Sequence, residues 1–243
     1  MTLMLVTRPE PDAQASLERL AALDIAAIAN PLMTRQGLDA NLPPPQGFAA
    51  MAISSTNALR ALADRQALEP FRTLPLFAVG HRTAHEARLL GFTDVTSAEG
   101  TLESLVSTIA LARLAGPIFY PAGKHLSGDL AHAMAPHGIM VVTAHVYEMV
   151  AETALPPAIL DLLASGGLDA VLFYSRRTAA IFCTLAAKLA VERRRQPAML
   201  CLSENVAAPL LENHFSRVFL ADHPSEEAMM ALALAFAREQ TGP

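Results

Sequence analysis

Tryptophan is absent from this 243-residue sequence, and there are only two cysteines, Cys183 and Cys201. The two cysteines form no CxxC pair and no metal-ligand spacing, which predicts a reducing compartment and no structural zinc site. Charged residues are also scarce, at 17%, whereas hydrophobic residues reach 52%, and this composition excludes intrinsic disorder. The formal net charge of −5 argues against the basic surface that nucleic-acid binding requires, so we expect no nucleic-acid partner.

Long apolar segments are missing as well. The longest stretches without a formal charge, residues 40–59 and 130–147, contain proline and several polar side chains, so neither predicts a membrane span. Near the N-terminus, only Leu3–Val6 is apolar before Arg8, which is too short for the hydrophobic region of a signal peptide. We therefore expect a cytoplasmic protein without membrane contact.

Sequence signatures of common catalytic sites are also absent. There is no GxSxG nucleophile elbow, no phosphate-binding GxxxxGK[ST] loop, no GxGxxG after the first predicted strand and no HExxH metal motif. His81 and His85 lie four residues apart on a predicted helix, but such a pair is more often solvent-facing than metal-binding. We expect neither a metal ion nor a cofactor.

The sequence does show short apolar runs that alternate with longer amphipathic stretches. Runs such as Leu3–Thr7, Phe48–Ile53 and Ala170–Tyr174 are apolar at consecutive positions, as in parallel strands that are buried on both faces. Segments of helical length, such as Pro11–Leu23 and Thr178–Leu189, separate these runs. The alternation predicts an α/β fold, and about ten strands favour two five-stranded domains over one wide sheet.

The two halves of the sequence also repeat weakly. The paired segments are residues 53–58 with 173–179, 77–80 with 200–203, and 5–9 with 119–123. Two similar halves predict a binding cleft between them, although any two βαβ units share some likeness. Pro31–Gln36 and Val146–Ala151 occupy matching places and are partly polar, so either could be a crossover that leaves one domain in two pieces.

Several predicted strands end in small, hydroxyl or other polar residues just before a helix. The carboxyl ends of strands are where open α/β sheets bind ligands, and helix N-termini there suit carboxylates or phosphates. Each hydroxyl residue could equally be a plain helix N-cap, but the whole set favours an anion-rich ligand. The set comprises Thr7, Arg8, Ser54, Ser55, Thr56, Gly80, Thr83, Ser175, Ser203, Glu204 and Asn205.

Taken in order, these motifs resemble the uroporphyrinogen-III synthase family. The resemblance covers essentially the whole chain and depends on the order and spacing of the motifs. The segments that carry it are Val6-Thr-Arg-Pro9, Ile53-Ser-Ser-Thr-Asn-Ala-Leu59, Ala78-Val-Gly80 with Thr83-Ala84, Gly91-Phe92, Val146-Tyr147, Phe173-Tyr-Ser175 and His223-Pro-Ser225. It implies two flavodoxin-like parallel-sheet domains joined by a two-stranded linker. Residues 1–35 and 150–243 would form one discontinuous domain and residues 36–149 the other, with the active-site cleft between them.

The resemblance also implies a reaction. In this family the linear tetrapyrrole hydroxymethylbilane loses its hydroxyl group as water and closes, with inversion of ring D, to uroporphyrinogen III. Members of the family are cofactor-free lyases of haem biosynthesis. Their substrate, hydroxymethylbilane, carries eight carboxylates. Because closure without the enzyme gives isomer I, the enzyme must mainly orient ring D, which requires no catalytic triad or metal.

Individual site residues follow from the same resemblance. Tyr147 is similar to the tyrosine that assists loss of the hydroxyl group, and Ser55, Thr83 and Ser175 match positions that hold substrate carboxylates. Further expected anion contacts are Arg8 and Lys124, although the loop Pro121–His125 lacks an arginine that is common in the family.

One motif departs from the family. The sequence reads Ser203-Glu-Asn-Val-Ala207 where Gly-x-Thr-Thr-Ala is frequent. Ser203 and Asn205 are expected to contact the substrate, with Asn205 replacing a threonine's hydrogen bond, but Glu204 adds a negative charge near an anionic ligand.

The resemblance implies a monomer, and a transient contact with hydroxymethylbilane synthase stays open. Two alternatives to the synthase also stay open. One is an intracellular two-domain binding protein or sensor for a small anionic ligand. The other is a degenerate paralogue inactivated by the changes at residues 203–205.

Overall fold

The computed structural model describes residues 2–126, 128–187, 189–194 and 196–241, without the side chains of residues 194 and 241. The chain divides into two compact units. Unit 1 comprises Met1–Thr34 and Val150–Pro243, and unit 2 comprises Arg35–Met149. Among the described residues, no helix combines the length and the apolar character needed to cross a bilayer.

Eleven strands are found in the described residues and form two sheets. They are β1 (Leu3–Val6), β2 (Ala26–Ala29), β3 (Met33–Gly37), β4 (Ala50–Ile53), β5 (Leu76–Ala78), β6 (Val95–Ser97), β7 (Ile118–Gly123), β8 (Val141–Ala151), β9 (Ala170–Phe173), β10 (Ala198–Cys201) and β11 (Val218–Leu220). The sheet of unit 1 has the order β11-β10-β9-β1-β2, and the other sheet has the order β3-β8-β7-β4-β5-β6.

Ten α-helices lie in the described part of the chain, mostly between consecutive strands. They are α1 (Asp12–Ala21), α2 (Thr56–Asp64), α3 (His81–Leu89), α4 (Leu102–Leu111), α5 (Leu130–Met134), α6 (Pro157–Ser165), α7 (Arg176–Ala186), α8 (Val191–Arg194), α9 (Glu204–Glu212) and α10 (Glu226–Thr241). Short 3-10 turns occupy Glu69–Phe71 and Ala135–His137.

Both sheets have the flavodoxin-like strand order. In unit 1 the strands, numbered as the chain meets them, lie in the order 2-1-3-4-5 and pair in parallel. In unit 2 the strands β8-β7-β4-β5-β6 occupy the same spatial order. Here the equivalents of strands 1 and 2, β7 and β8, come last in the chain. The segments that repeat in the sequence thus fall on topologically equivalent strands: β4 with β9, β5 with β10, and β1 with β7.

Two strands cross the boundary between the units. Leu38 N donates to Val146 O at 2.9 Å and Glu152 N donates to Leu32 O at 3.0 Å, so β3 and β8 run in opposite directions. The two strands correspond to the two-stranded linker that the resemblance implies, and β3 adds a sixth strand to the five that the apolar runs predict for this sheet. The extra strand β3 is polar and largely exposed over Thr34–Gly37, as expected of an edge strand, and it lacks the apolar run on which the strand prediction depends.

Each sheet is covered by helices on both faces, which explains the unbroken apolar runs. In β1, the side chains of Met4 and Val6 pack on one face and that of Leu5 on the other, and all three are fully buried. In unit 2, Phe119 of β7 stacks on Phe71 with ring centroids 4.8 Å apart on the face that α2 covers. The predicted α/β fold class is confirmed, and both sheets are parallel apart from the edge strand β3.

Candidate active site

Each unit has a topological switch point, where the strand order reverses. In the order 2-1-3-4-5 this point lies between strands 1 and 3. In unit 2 the switch point lies between β7 and β4, where Ser54 follows β4 and Tyr120 is on β7. The Ser54 hydroxyl and the Tyr120 phenol are hydrogen-bonded at 2.6 Å. Tyr120 is 2% exposed, whereas Ser54 is only half-buried, so Ser54 brings this pair to the carboxyl edge of the sheet.

Tyr147 lies on the neighbouring strand, where the pairing is irregular. Ala122 of β7 pairs with His145, but Gly123 pairs with Tyr147, so β8 contains one extra residue, Val146, at this point. Such a bulge breaks the alternation of side chains and re-aims the residue that follows it. Val146 and Tyr147 are consequently both buried in the same hydrophobic cluster, and Tyr147 is 8% exposed.

Gly123 makes room for the phenol of Tyr147. A Cβ atom at position 123 would lie 2.8 Å from Cζ and 2.9 Å from Oη of Tyr147, which is too close for any side chain. The backbone fixes the same pair of residues, because Lys124 N donates to Tyr147 O at 2.8 Å. The phenol of Tyr147 therefore lies directly over the end of β7.

The pKa of Tyr120 is raised above its ordinary value, mainly because burial disfavours the phenolate. The hydrogen bond from Ser54 lowers this pKa, whereas the negative charges that Tyr147 and Asp129 carry when ionised raise it. Tyr120 is therefore protonated at neutral pH. Its phenol can donate its proton in a hydrogen bond or accept a hydrogen bond from Ser54.

Helix N-termini line the same edges, and they fall into two kinds. Ser55 and Ser175 are N-caps: Ser55 Oγ accepts from Asn57 N at 3.2 Å, and Ser175 Oγ accepts from Thr178 N at 3.1 Å. At Gly80 and Ser203, which precede α3 and α9, no described side chain caps the helix. The first N–H groups of these two helices have no partner within the helix, so both can accept an anion.

Thr83 occupies the first turn of α3. It is 6% exposed, and its hydroxyl has no hydrogen-bond partner among the residues that the structure describes. A hydroxyl group in the first turn, where the helix N–H groups have no partner within the helix, is suited to a ligand carboxylate. The position of Thr83 thus agrees with the expectation from sequence that it lies near bound anions.

At the switch point of unit 1, Arg8 is held by other protein groups. Its guanidinium is ion-paired with Glu226 and with Asp12, the latter at 3.3 Å, and lies 4.0 Å from the ring centroid of Tyr174. Tyr174 Oη also donates to Glu226 at 3.0 Å, and burial raises the pKa of Tyr174 to about 12. Only 10% of the Arg8 side chain is exposed, so its guanidinium is directed into the protein.

The remaining predicted contacts are at the surface. Lys124 Nζ donates to Glu148 at 3.0 Å, and 55% of the lysine side chain is exposed. Asn205 is exposed, and its Oδ1 accepts from Arg176 at 3.4 Å, while Ser203 is half-buried. The structure therefore brings Ser55, Thr83, Lys124 and Tyr147 to the carboxyl edge of one sheet, and Ser175, Ser203 and Asn205 to that of the other.

Sequence reasoning missed three features of these edges. It did not pair Tyr120 with Ser54, which are 66 residues apart in the sequence. It gave no role to Gly123 or Glu226, whose partners are 24 and 218 residues away.

Among residues 2–126, 128–187, 189–194 and 196–241, no group of three or more His, Cys, Asp or Glu side chains is placed to hold a metal ion.

Comparison with known proteins supplies the remaining information. Residues 15–231 match the sequence model of a family described as uroporphyrinogen-III synthase HemD. The crystal structure of uroporphyrinogen-III synthetase from Helicobacter pylori 26695 is similar, with 19% identity, a TM-score of 0.67 and coverage of 97% of this chain and 99% of that one. A mutant uroporphyrinogen III synthase from the extremely thermophilic bacterium Thermus thermophilus gives 17% identity, a TM-score of 0.58 and full coverage of both chains. No curated protein sequence matches significantly. At these identities the two structures establish a shared fold.

Proposed function

The chain belongs to the uroporphyrinogen-III synthase family, and on that premise we propose how its own residues carry out the reaction. The reaction is the cyclisation of hydroxymethylbilane to uroporphyrinogen III in tetrapyrrole biosynthesis. We assign the enzyme to the lyases, because the substrate's hydroxyl group leaves as water while the ring closes.

Tyr147 is the proposed proton donor. Its phenol gives a proton to the leaving hydroxyl group as the C–O bond breaks, which yields water, the azafulvene cation and the Tyr147 phenolate. The phenolate can then take back the proton that the substrate loses when the closed ring regains aromaticity, so the enzyme is regenerated. The observation that carries this role is the bulge in β8, because it directs the Tyr147 phenol over Gly123 at the end of β7.

The substrate's carboxylates are assigned to groups at the strand ends of each unit. In unit 2 these are the first N–H groups of α3, the Thr83 hydroxyl, and Ser55, which follows the neighbouring strand β4. Lys124 is a further contact, and its exposed ammonium group would exchange Glu148 for a substrate carboxylate. The substrate needs no dense basic patch, because helix N-termini supply partial positive charge.

Unit 1 contributes contacts of the same kind from Ser175, Ser203 and Asn205. Arg8 takes a different role in this proposal, because its guanidinium is already paired with Asp12 and Glu226. It positions the end of β1 relative to Tyr174, which directly precedes Ser175, and does not itself bind a carboxylate.

We also propose that the enzyme acts as a cytoplasmic monomer. A transient contact with hydroxymethylbilane synthase would be useful, because the free substrate closes on its own to isomer I. These proposals follow from family membership and from the chemistry of the substrate.

The test supplies hydroxymethylbilane generated in situ, oxidises the products and separates uroporphyrins I and III. The wild-type protein should give an excess of isomer III over the enzyme-free control. Tyr147→Phe should lower the rate of isomer III formation by about 100-fold with an unchanged thermal midpoint. Isomer I alone from folded wild-type protein would refute the synthase and favour the binding-protein alternative, whereas full turnover by Tyr147→Phe would remove the role of Tyr147 only.

A further inference from the structure

Two arginines begin helix α7 of unit 1, where helix electrostatics disfavour them. Arg176 and Arg177 directly follow the N-cap Ser175. A helix N-terminus has a partial positive charge, so a cation in the first turn is repelled. Helices α1, α4 and α10 carry the expected carboxylate in their first turn. The arginine pair thus opposes the stability of its own helix, which points to a purpose outside the helix.

Both arginines are exposed at the carboxyl edge of the sheet, beside Ser175. Arg176 Nη1 donates to Asn205 Oδ1 at 3.4 Å, and its Nη2 lies 3.6 Å from a carboxylate oxygen of Glu212. These contacts are long, and the Arg176 and Glu212 side chains are 50% and 66% exposed, so solvent screens them strongly. They orient the guanidinium towards α9 but hold it weakly enough for a better anion to displace them.

The equivalent helices of unit 2 distribute charge differently. Helix α2, the counterpart of α7, begins with the uncharged residues Thr56 and Asn57. Helix α9, the counterpart of α3, begins with Glu204 and Asn205 where α3 has His81 and the cation Arg82, and it has the buried apolar Val206 where α3 has Thr83. In unit 1, α9 therefore lacks the hydroxyl group that α3 has, and its Glu204 carries a charge that repels a carboxylate. Helix α7, by contrast, carries two cations that α2 lacks.

We propose that Arg176 and Arg177 form a carboxylate-binding contact of unit 1, which takes over the task that α3 performs in unit 2. The ligand is a carboxylate of the tetrapyrrole, held by the planar guanidinium groups in paired, charge-assisted hydrogen bonds. This inference rests on the proposed function, since the tetrapyrrole is the polycarboxylate in question. It also explains how a chain with the departure at residues 203–205 keeps a substrate site.

The test uses Arg176→Gln, Arg177→Gln and the double variant. Arg193→Gln is the matched control, because Arg193 is an exposed arginine of unit 1 in α8, away from the carboxyl ends of the strands. We measure KM and kcat for isomer III with hydroxymethylbilane generated in situ, and the Kd of uroporphyrin III, a stable octacarboxylate, by fluorescence titration. Each measurement is repeated over a range of salt concentrations.

Each single variant should raise KM and Kd about 10-fold and leave kcat within about twofold, because the contact is remote from the bond that breaks. The double variant should also bind with a weaker salt dependence. Its thermal midpoint should be unchanged or higher, since the substitutions relieve the repulsion at the start of α7. A purely structural role would lower the midpoint and leave KM unchanged.

KM and Kd values equal to those of wild type and Arg193→Gln would overturn the inference and leave the synthase assignment in place. A wild-type protein that forms no isomer III would overturn the proposed function, and the inference with it. The wild-type measurement precedes the variants, so the two failures are distinguished.

Discussion

Replacing Gly123 with alanine tests whether the placement of the Tyr147 phenol limits catalysis. The new Cβ would lie 2.8 Å from Tyr147 Cζ, and ordinary contacts begin at 3.4 Å, so the ring must retreat by about 0.6 Å. Misplacement of a catalytic group by about 1 Å can reduce the rate 100-fold. We therefore expect kcat for isomer III to fall about 10-fold or more. Overpacking should lower the free energy of unfolding by about 1–3 kcal/mol.

The assay is the separation of uroporphyrins I and III, with the thermal midpoint as the measure of folding. Isomer I should increase as the enzyme slows, because uncatalysed closure competes. Gly37→Ala is the control: Gly37 lies on β3 of the same sheet, and a Cβ there would meet no atom within 4 Å in the described part of the chain.

A double variant shows whether the effect acts through the phenol. In a Tyr147→Phe background, Gly123→Ala should cause little further loss of kcat, because no phenolic proton remains to be misplaced. Folded Gly123→Ala protein with wild-type kcat and a wild-type ratio of isomers would refute the argument from placement.

Three further predictions concern stability, measured by urea or thermal denaturation. Arg8→Ala leaves Glu226 without its main charge partner and should lower the free energy of unfolding by about 3 kcal/mol; a change below about 1 kcal/mol would contradict the buried network. Ser55→Ala should lower it by about 1 kcal/mol and Ser203→Ala hardly at all, because only Ser55 caps its helix; equal losses would contradict this distinction. The pKa of Tyr174 is raised from 10.0 to about 12, so its contribution to stability is complete below pH 10 and is lost as the pH rises through 12; Tyr174→Phe should therefore flatten the alkaline decline.

The fold could be predicted largely from the sequence, because most strands are buried on both faces. Runs such as residues 50–53 and 170–173 are apolar throughout, so their pattern is unambiguous. The edge strand β3 could not be predicted from its own residues, because Thr34, Arg35 and Gln36 are polar and such a segment looks like a loop. Only the two-stranded linker that the family resemblance implies indicated a strand there. Its pairing with β8 depends on residues more than a hundred positions away.

The site could be predicted only in outline. The ends of strands mark where ligands bind, and this brought Ser55 and Thr83 into consideration, whereas Tyr147 was identified only through the resemblance to the family. The bulge at Val146 is a property of two strands in register, so one strand alone does not reveal it. Nor could the sequence distinguish Ser55, which caps its helix, from Ser203, which does not, because both precede a helix after a buried strand.

The division of unit 1 into two pieces has a consequence during synthesis on the ribosome. In unit 2, strands β4 to β8 lie between residues 50 and 151 and form one continuous stretch of sequence, so they leave the ribosome one after another. Strand β1 pairs with β2 and β9, and β9 ends at Phe173. At roughly 5–20 residues per second, β1 waits about 8–33 s for β9. Met4–Val6 are apolar and fully buried in the native sheet. During that time they stay exposed, because the strand that covers one edge of β1 has not yet been synthesised. Unit 2 should therefore fold first, and the nascent N-terminal segment is where a chaperone would be expected to bind.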